Sequence, residues 1–428
     1  MRLLCGKSSC IAIGFIVVSV LLLAAPQLAR CQTETVLYSF SGQSGDGANP
    51  YAGLTMDKAG NLYGTTVSGG DLSCPNAGHG CGTVFKLVPA GGNWTESVLY
   101  AFGTQSGDGV EPSPGSLVLS GTKLYGTTSI GGDLSCDSPN GCGTVFEVTT
   151  TTGAETPIYS FTSYLDGFEP NGLIEKSGIL YGTTAHGGPD LCGTGFALTP
   201  PAKKGGAWTM TVLEDFGYEP DDGGCVVNSG VIYKDAVLYG TAFADGADGG
   251  GAIFAFSATE PNQFTILYNF MSPPSDGFAP AAGVIMDGEG NIYGTTEYGG
   301  AYGSPHESTD GAVFEWSAAT GTETLLFSFG GYAGDGLLPE AGLLSYKNNL
   351  YGTTYTGGAN GNGTVFKLTH PVKKGAPWTE TILHSFGADS DDGRYPTAGL
   401  IVDKKGNLYG TTTAGGAYGS GTVFEITP

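Results

Sequence analysis

Charge is scarce in this sequence, and positive charge scarcest. Charged residues make up 13% of the 428, with 17 Lys or Arg against 40 Asp or Glu. So few charges beside 40% hydrophobic residues exclude a disordered polyelectrolyte. A net charge of −23 argues against nucleic acid as a partner, because phosphate binding needs a basic face. Catalytic signatures are missing as well. There is no Gly-x-Ser-x-Gly and no His-Glu-x-x-His, and His79, His186, His306, His370 and His384 share no common position. After residue 31 no apolar run is long enough to span a bilayer. Glycine is abundant instead, at 75 residues. It lacks the three-residue period of collagen, and at about 1 kcal/mol per helical position it excludes long helices. An all-β fold with many tight turns remains.

The first 31 residues read as a secretory signal. Arg2 and Lys7 form a positive start, and residues 11–25 form an apolar stretch too short for a comfortable membrane span. Cleavage after Ala29 or Cys31 fits. The string around Cys31 also resembles a lipoprotein signal, but Arg30 stands where a small residue belongs. Residues 32–428 are then a single domain outside the cytoplasm.

That domain is a sevenfold repeat. Tyr-Gly-Thr-Thr begins at Tyr63, Tyr125, Tyr181, Tyr293, Tyr351 and Tyr409, with Tyr-Gly-Thr-Ala at Tyr239. Three further signatures keep step with it: an extended run such as residues 34–40, Ala-Gly-Leu as at 52–54, and Gly-Thr-Val-Phe as at 82–85. Each reads as a short strand rich in β-branched and aromatic residues, bounded by Gly, Asp, Asn and Pro. Four strands in a period of 54 to 62 residues predict one propeller blade, and seven periods predict a closed seven-bladed β-propeller of four antiparallel strands per blade. Ala-Gly-Leu is taken as inner strand A, Tyr-Gly-Thr-Thr as B, Gly-Thr-Val-Phe as C and the extended run as outer strand D. The last blade would then close by pairing strand 34–40 with strands in 398–427, so loss of 34–40 should destabilise the whole ring.

The repeat resembles the GloVer tandem repeat of secreted bacterial choice-of-anchor proteins. The resemblance rests on Asp46-Gly47, residues 61–66, Gly69-Gly70, residues 82–85 and their counterparts in the other copies. It covers residues 34–428. It implies an exported protein, with surface attachment as an option, and supplies no catalytic residues to carry over.

Six cysteines lie beyond the signal, an even number for an oxidising compartment. Cys74 and Cys81 bracket one B–C loop, and Cys136 and Cys142 bracket the next. Cys192 and Cys225 lie on B–C and D–A loops of one face, so three disulfides are predicted. The spacing is not the C-x-x-C of a zinc site.

The same face carries Asp-Gly at Asp46, Asp108, Asp166, Asp222, Asp276, Asp335 and Asp392, followed by x-x-Pro in six of seven copies. Two readings apply. The carboxylates could ring the channel mouth and take a cation such as Ca²⁺. Alternatively each carboxylate caps a turn by accepting backbone N–H bonds, which repetition in every copy favours. The Gly-Gly pairs read as loop glycines with positive φ. The tyrosines of Tyr-Gly-Thr-Thr, and Trp94, Trp208 and Trp378, read as packing residues more than as sugar platforms. No cofactor is called for. The resulting expectation is a monomeric, exported, non-catalytic binding module for a glycan, protein or cell-envelope component, acting through its acidic loop face. The alternatives are a secreted carbohydrate-active hydrolase or lyase using Asp at the channel mouth, and a purely structural surface protein.

Overall fold

The computed structural model describes residues 33–74, 79–137, 139–217, 227, 229–244, 249–271, 276–302, 310–373 and 375–427. Gln32–Pro428 forms one compact unit. The signal reading, together with Asp222 and Cys225, falls outside the described residues.

All regular structure among the described residues is β. Seven antiparallel sheets form a seven-bladed β-propeller. Blade 1 contains Thr55–Met56 (A), Leu62–Thr66 (B), Thr83–Ala90 (C) and Asn93–Ala101 (D). Blades 2 to 6 follow within residues 118–160, 168–215, 232–269, 285–328 and 344–385. Blade 7 takes A, B and C from Ile401–Val402, Leu408–Thr412 and Thr422–Thr427, and D from Thr33–Ser39 at the other end of the chain. The closing ladder runs from Thr33 opposite Thr427 to Ser39 opposite Thr422. Phe40, expected as the last residue of this strand, lies just past it and still donates its N–H to the Gly421 carbonyl at 3.0 Å.

Each repeated residue type has a joint to make. The second Thr of Tyr-Gly-Thr-Thr meets the Thr of Gly-Thr-Val-Phe within the blade, as in Thr66–Thr83 at 2.8 Å and Thr412–Thr422 at 2.8 Å. The first Thr reaches the next blade: Thr295 donates to the Ala341 carbonyl at 2.9 Å, and Thr411 to the Ala52 carbonyl at 3.1 Å across the closure. The Phe ending strand D packs edge-on against the strand C Phe of the next blade. Phe40–Phe85, Phe102–Phe146 and Phe386–Phe424 have centroids 5.0–5.1 Å apart. All six rings are fully buried. Aromatic pairs in this geometry add about 0.5–1.5 kcal/mol beyond their buried area.

Strand A is shorter than expected. Ala-Gly-Leu precedes the ladder, and its glycine stands on the channel wall. A Cβ on Gly115 would lie 2.1 Å from the Gly172 Cα, and one on Gly399 would lie 3.1 Å from the Gly342 carbonyl. Seven blades converge on the axis there, and backbone meets backbone.

Candidate functional site

Asp-Gly and Gly-Gly, separate motifs in the sequence, are two halves of one ribbon. Gly47 pairs with Gly69, Gly109 with Gly131, Gly277 with Gly299, Gly336 with Gly357 and Gly393 with Gly415. The second glycine of each Gly-Gly then donates to the Asp carbonyl, as Gly70 does to Asp46 at 2.7 Å. The ribbon ties the D–A loop to the B–C loop, so both stand on one face. Gly69 and Gly70 hold φ of 82° and 77°, where a Cβ would be strained.

The residue before each Pro of Asp-Gly-x-x-Pro is left-handed too. Asn49, Glu111, Glu169, Ala279, Leu338 and Tyr395 have φ of 54–59°. Their amides reach into the preceding blade: Glu111 donates to the Cys81 carbonyl at 3.1 Å, and Tyr395 to the Asn362 carbonyl at 2.9 Å. Asp-Gly-x-x-Pro is therefore a joint between blades.

The aspartate side chains turn into this joint. Asp46 accepts from the Ser41 amide at 2.8 Å and the Gly47 amide at 2.7 Å. Asp108 accepts from Tyr100 at 2.7 Å, Asp166 from Tyr159 at 2.7 Å and Asp276 from Tyr268 at 2.8 Å. Asp335 accepts from the Gly331 amide at 2.9 Å. Asp392 faces His384 Nε2 at 3.3 Å. Burial pushes the carboxyls of Asp108 and Asp335 above the ordinary range. None of these six lines the central channel. The expected ring at the mouth is corrected to a ring of turns at the blade joints, because each carboxylate is held by donors of its own turn, joined at Asp108, Asp166, Asp276 and Asp392 by a side chain of the preceding strand D.

Beside these aspartates lies a glutamate that the sequence reading missed. Glu96, Glu155, Glu323 and Glu380 lie early in strand D of their blades, beside Asp46, Asp108, Asp276 and Asp335. Burial first, then the neighbouring carboxylate, pushes Glu96 to about 7 and Glu155 and Glu323 to about 8. Each of the four leaves Oε1 shut off from water without a hydrogen bond. The signal was available: Glu recurs early in strand D, in step with Asp-Gly.

Other groups occupy the mouth. The channel encloses about 750 Å³ and is lined by all seven strand A glycines, with Tyr51, Glu169, Glu297 and Glu340 on the loop side. Burial first, then Glu297, raises Glu340 to about 7, and burial then Glu340 raises Tyr51 to about 12. Nearby, the Tyr355 and Tyr395 rings lie 5.1 Å apart at 34°. His186 faces Glu169 at 3.6 Å between the paired A and B strands of blade 3.

Two expected disulfides are present. Cys74–Cys81 and Cys136–Cys142 have Cα atoms 6.0 and 5.8 Å apart. Cys192 is buried and disulfide-bonded, and its expected mate Cys225 lies outside the described residues. Among the described residues no helix is long and apolar enough to cross a membrane. The disulfides fit an extracellular protein. The tyrosines of Tyr-Gly-Thr-Thr pack between blades: Tyr63 is 2% exposed and sits in the core of blade 2 with Leu117 and Leu124. Trp94 packs edge-on against Tyr409 at 6.1 Å, and Trp208 against Tyr125 at 6.0 Å.

Solved structures resemble this chain at low identity. The computationally designed Ika8 protein is 13% identical with a TM-score of 0.45, covering 91% of this chain and 100% of its own. A protein of unknown function from Dyadobacter fermentans is 12% identical with a TM-score of 0.42, covering 92% and 96%. A chain of the nidogen/laminin complex is 14% identical with a TM-score of 0.39, covering 68% and 87%. No curated protein matches the sequence. The Gloeobacter/Verrucomicrobia repeat matches over residues 27–226, 78–306 and 227–428, the same sevenfold unit that builds the blades. The chain belongs to the Gloeobacter/Verrucomicrobia repeat family.

Proposed function

We propose that this protein is an exported, non-catalytic β-propeller that binds an extracellular ligand through its D–A and B–C loop face. A glycan is favoured over a protein or another cell-envelope component. One observation carries the reading. Eleven large hydrophobic side chains are exposed among the described residues, and only Val372 lies on the opposite face. Tyr51, Leu72, Leu134, Tyr164, Leu165, Leu191, Met271, Tyr302, Tyr332 and Tyr418 all stand on D–A or B–C loops. Apolar groups clustered on one face of a rigid scaffold mark a binding surface. Tyrosines beside the carboxylates of Glu297 and Glu340 suit a sugar, whose C–H faces stack on rings while its hydroxyls donate to carboxylates. The repeats of Asp-Gly and of the buried glutamates are consumed in blade joints, which leaves the variable loops to read the ligand.

Purified protein is screened against a polysaccharide panel for binding and for product release, with and without chelator. Saturable binding without turnover is expected. Released oligosaccharide that disappears in Glu340→Gln would replace this reading with the hydrolase or lyase. Binding unaffected by Tyr302→Ala and Tyr418→Ala would move the site off this face.

A further inference from the structure

One blade joint differs chemically from its counterparts. At four joints the buried Asp–Glu pair is accompanied from the preceding strand D by an aromatic residue: Tyr38 at Asp46–Glu96, Tyr100 at Asp108–Glu155, Tyr268 at Asp276–Glu323 and Phe327 at Asp335–Glu380. Between blades 6 and 7 that position is His384, with Asp392 and Glu34. One ligand atom from each of the three lies within 4.8 Å of the others, the one such cluster among the described residues.

Three features go beyond proximity. His384 Nε2 stands 3.3 Å from both oxygens of Asp392, long for a charge-assisted hydrogen bond. It does match the edge of a tetrahedral zinc site, where ligands about 2.0–2.1 Å from the ion are about 3.3 Å apart. The Asp392 side chain is 5% exposed and that of His384 18%, so the imidazole edge is aimed into a largely enclosed junction. The ring is fixed there by Phe386, 4.7 Å away at 79°. Finally, Glu34 Oε1 is shut off from water with no hydrogen-bond partner, as its counterparts are at the other four joints, but here the carboxylate has an imidazole beside it as well as an aspartate.

We propose that Glu34, His384 and Asp392 form a divalent transition-metal site, with Zn²⁺ the ion it fits, that latches the N-terminal strand to the ring. One imidazole and two carboxylates are a borderline-hard set suited to Zn²⁺, with water completing the tetrahedron. Glu34 belongs to Thr33–Ser39, the strand that closes blade 7, whereas His384 and Asp392 belong to the far end of the chain. The ion would cross-link the two ends independently of the closing ladder. The other joints lack the imidazole and lie outside the proposal.

The test uses the full purified protein, stripped with chelator and titrated with ZnCl₂ by calorimetry and thermal melting. His384→Tyr is the control least prone to misfolding, because it restores the residue that other blades carry at this position. The expected result is one zinc per chain and, at a hundredfold excess over Kd, a rise in Tm of about 3 °C. Both are lost in His384→Tyr and in Glu34→Gln, while the metal-free melting of His384→Tyr stays near that of the parent. No saturable uptake by the parent, or equal uptake by His384→Tyr, overturns the site. Uptake without a rise in Tm overturns the latch.

Discussion

On the A–B side of the ring, Asp57 accepts from the Asn61 side chain at 2.7 Å and from Tyr63 at 3.1 Å, all within one hairpin. Asp287 repeats the arrangement with Asn291 at 2.9 Å and Tyr293 at 3.1 Å. On the loop side, Asp276 accepts from Tyr268, Met271 and Gly277 at 2.7–2.8 Å, in a turn that joins two blades. The residue type and the donor types are the same, but the electrostatics differ. Burial pulls Asp57 and Asp287 upward, yet their hydrogen bonds outweigh it and hold both carboxyls below the ordinary range. For Asp108 and Asp335 on the loop side, burial outweighs the hydrogen bonds, and both lie above it. The A–B turns are local and wet. The loop-side turns are joints between blades: at Asp108 and Asp335 desolvation decides the sign, whereas at Asp392 burial is outweighed by the His384 side chain and backbone donors, which hold the carboxyl below the ordinary range.

The hardest test of that difference uses glycines. Gly363 on the loop side has φ of +96°, and a Cβ there would lie 2.4 Å from the Thr354 carbonyl and 2.7 Å from Pro396 of the next blade. Gly60 in an A–B turn has φ of +87° with nothing within 4 Å. Gly363→Ala should cost about 3 kcal/mol or more from strain plus overlap, and Gly60→Ala about 1–2 kcal/mol from strain alone. Denaturant unfolding of both variants measures this, and equal losses would erase the distinction between joint and local turn. Next comes Asp276→Ala against Asp287→Ala. The first strands three donors at a buried joint and should cost about 3 kcal/mol, against about 1 kcal/mol for the second.

The pH dependence sharpens the comparison further. Glu155 and Glu323 rise from 4.5 to about 8 in the folded protein. Between those values the folded state binds more protons than the unfolded chain, so stability is fully present below about pH 4.5 and falls as pH climbs to 8. Asp57 and Asp287 act the other way: they contribute above their unfolded value of 3.8 and lose that contribution as pH falls through their folded values. Tm should therefore be higher at pH 5 than at pH 8. Glu155→Gln with Glu323→Gln should reduce the difference, because Gln needs no proton to stay neutral. A Tm that rises from pH 5 to 8 would contradict this assignment.

The strands and their order were legible because every blade solves the same packing problem with the same residues: Phe40 and Phe85 at one interface are Phe386 and Phe424 at another. The joint was half legible. Asp46-Gly47 and Gly69-Gly70 each announce a turn, but the ladder between Gly47 and Gly69 spans 22 positions, and neither glycine carries a side chain to advertise its partner. Glu96 was passed over because a polar residue in an outer strand reads as solvent-facing. Only the neighbouring turn, delivering Asp46 to the same spot, makes that position dry. The apolar loop tips were invisible for a different reason: Leu134 or Tyr418 in a glycine-rich loop gives no sequence sign of which way it points.

Those tips supply the test with the smallest expected effect on stability. Tyr418 is 67% exposed and Tyr302 is 59% exposed, both on B–C loops. Neither makes a described ring contact or side-chain hydrogen bond that a joint depends on, in contrast to Tyr100 and Tyr268 one layer below, which hold Asp108 and Asp276. Tyr302→Ala and Tyr418→Ala should leave stability within about 0.5 kcal/mol of the parent, while Tyr268→Phe, losing one buried donor to Asp276, should cost about 1–2 kcal/mol. Thermal melting ranks the three, and the order separates tyrosines that build the ring from tyrosines that the ring displays. If Tyr418→Ala destabilised as much as Tyr268→Phe, the loop tips would be structural, and the face would lose its strongest claim to a ligand.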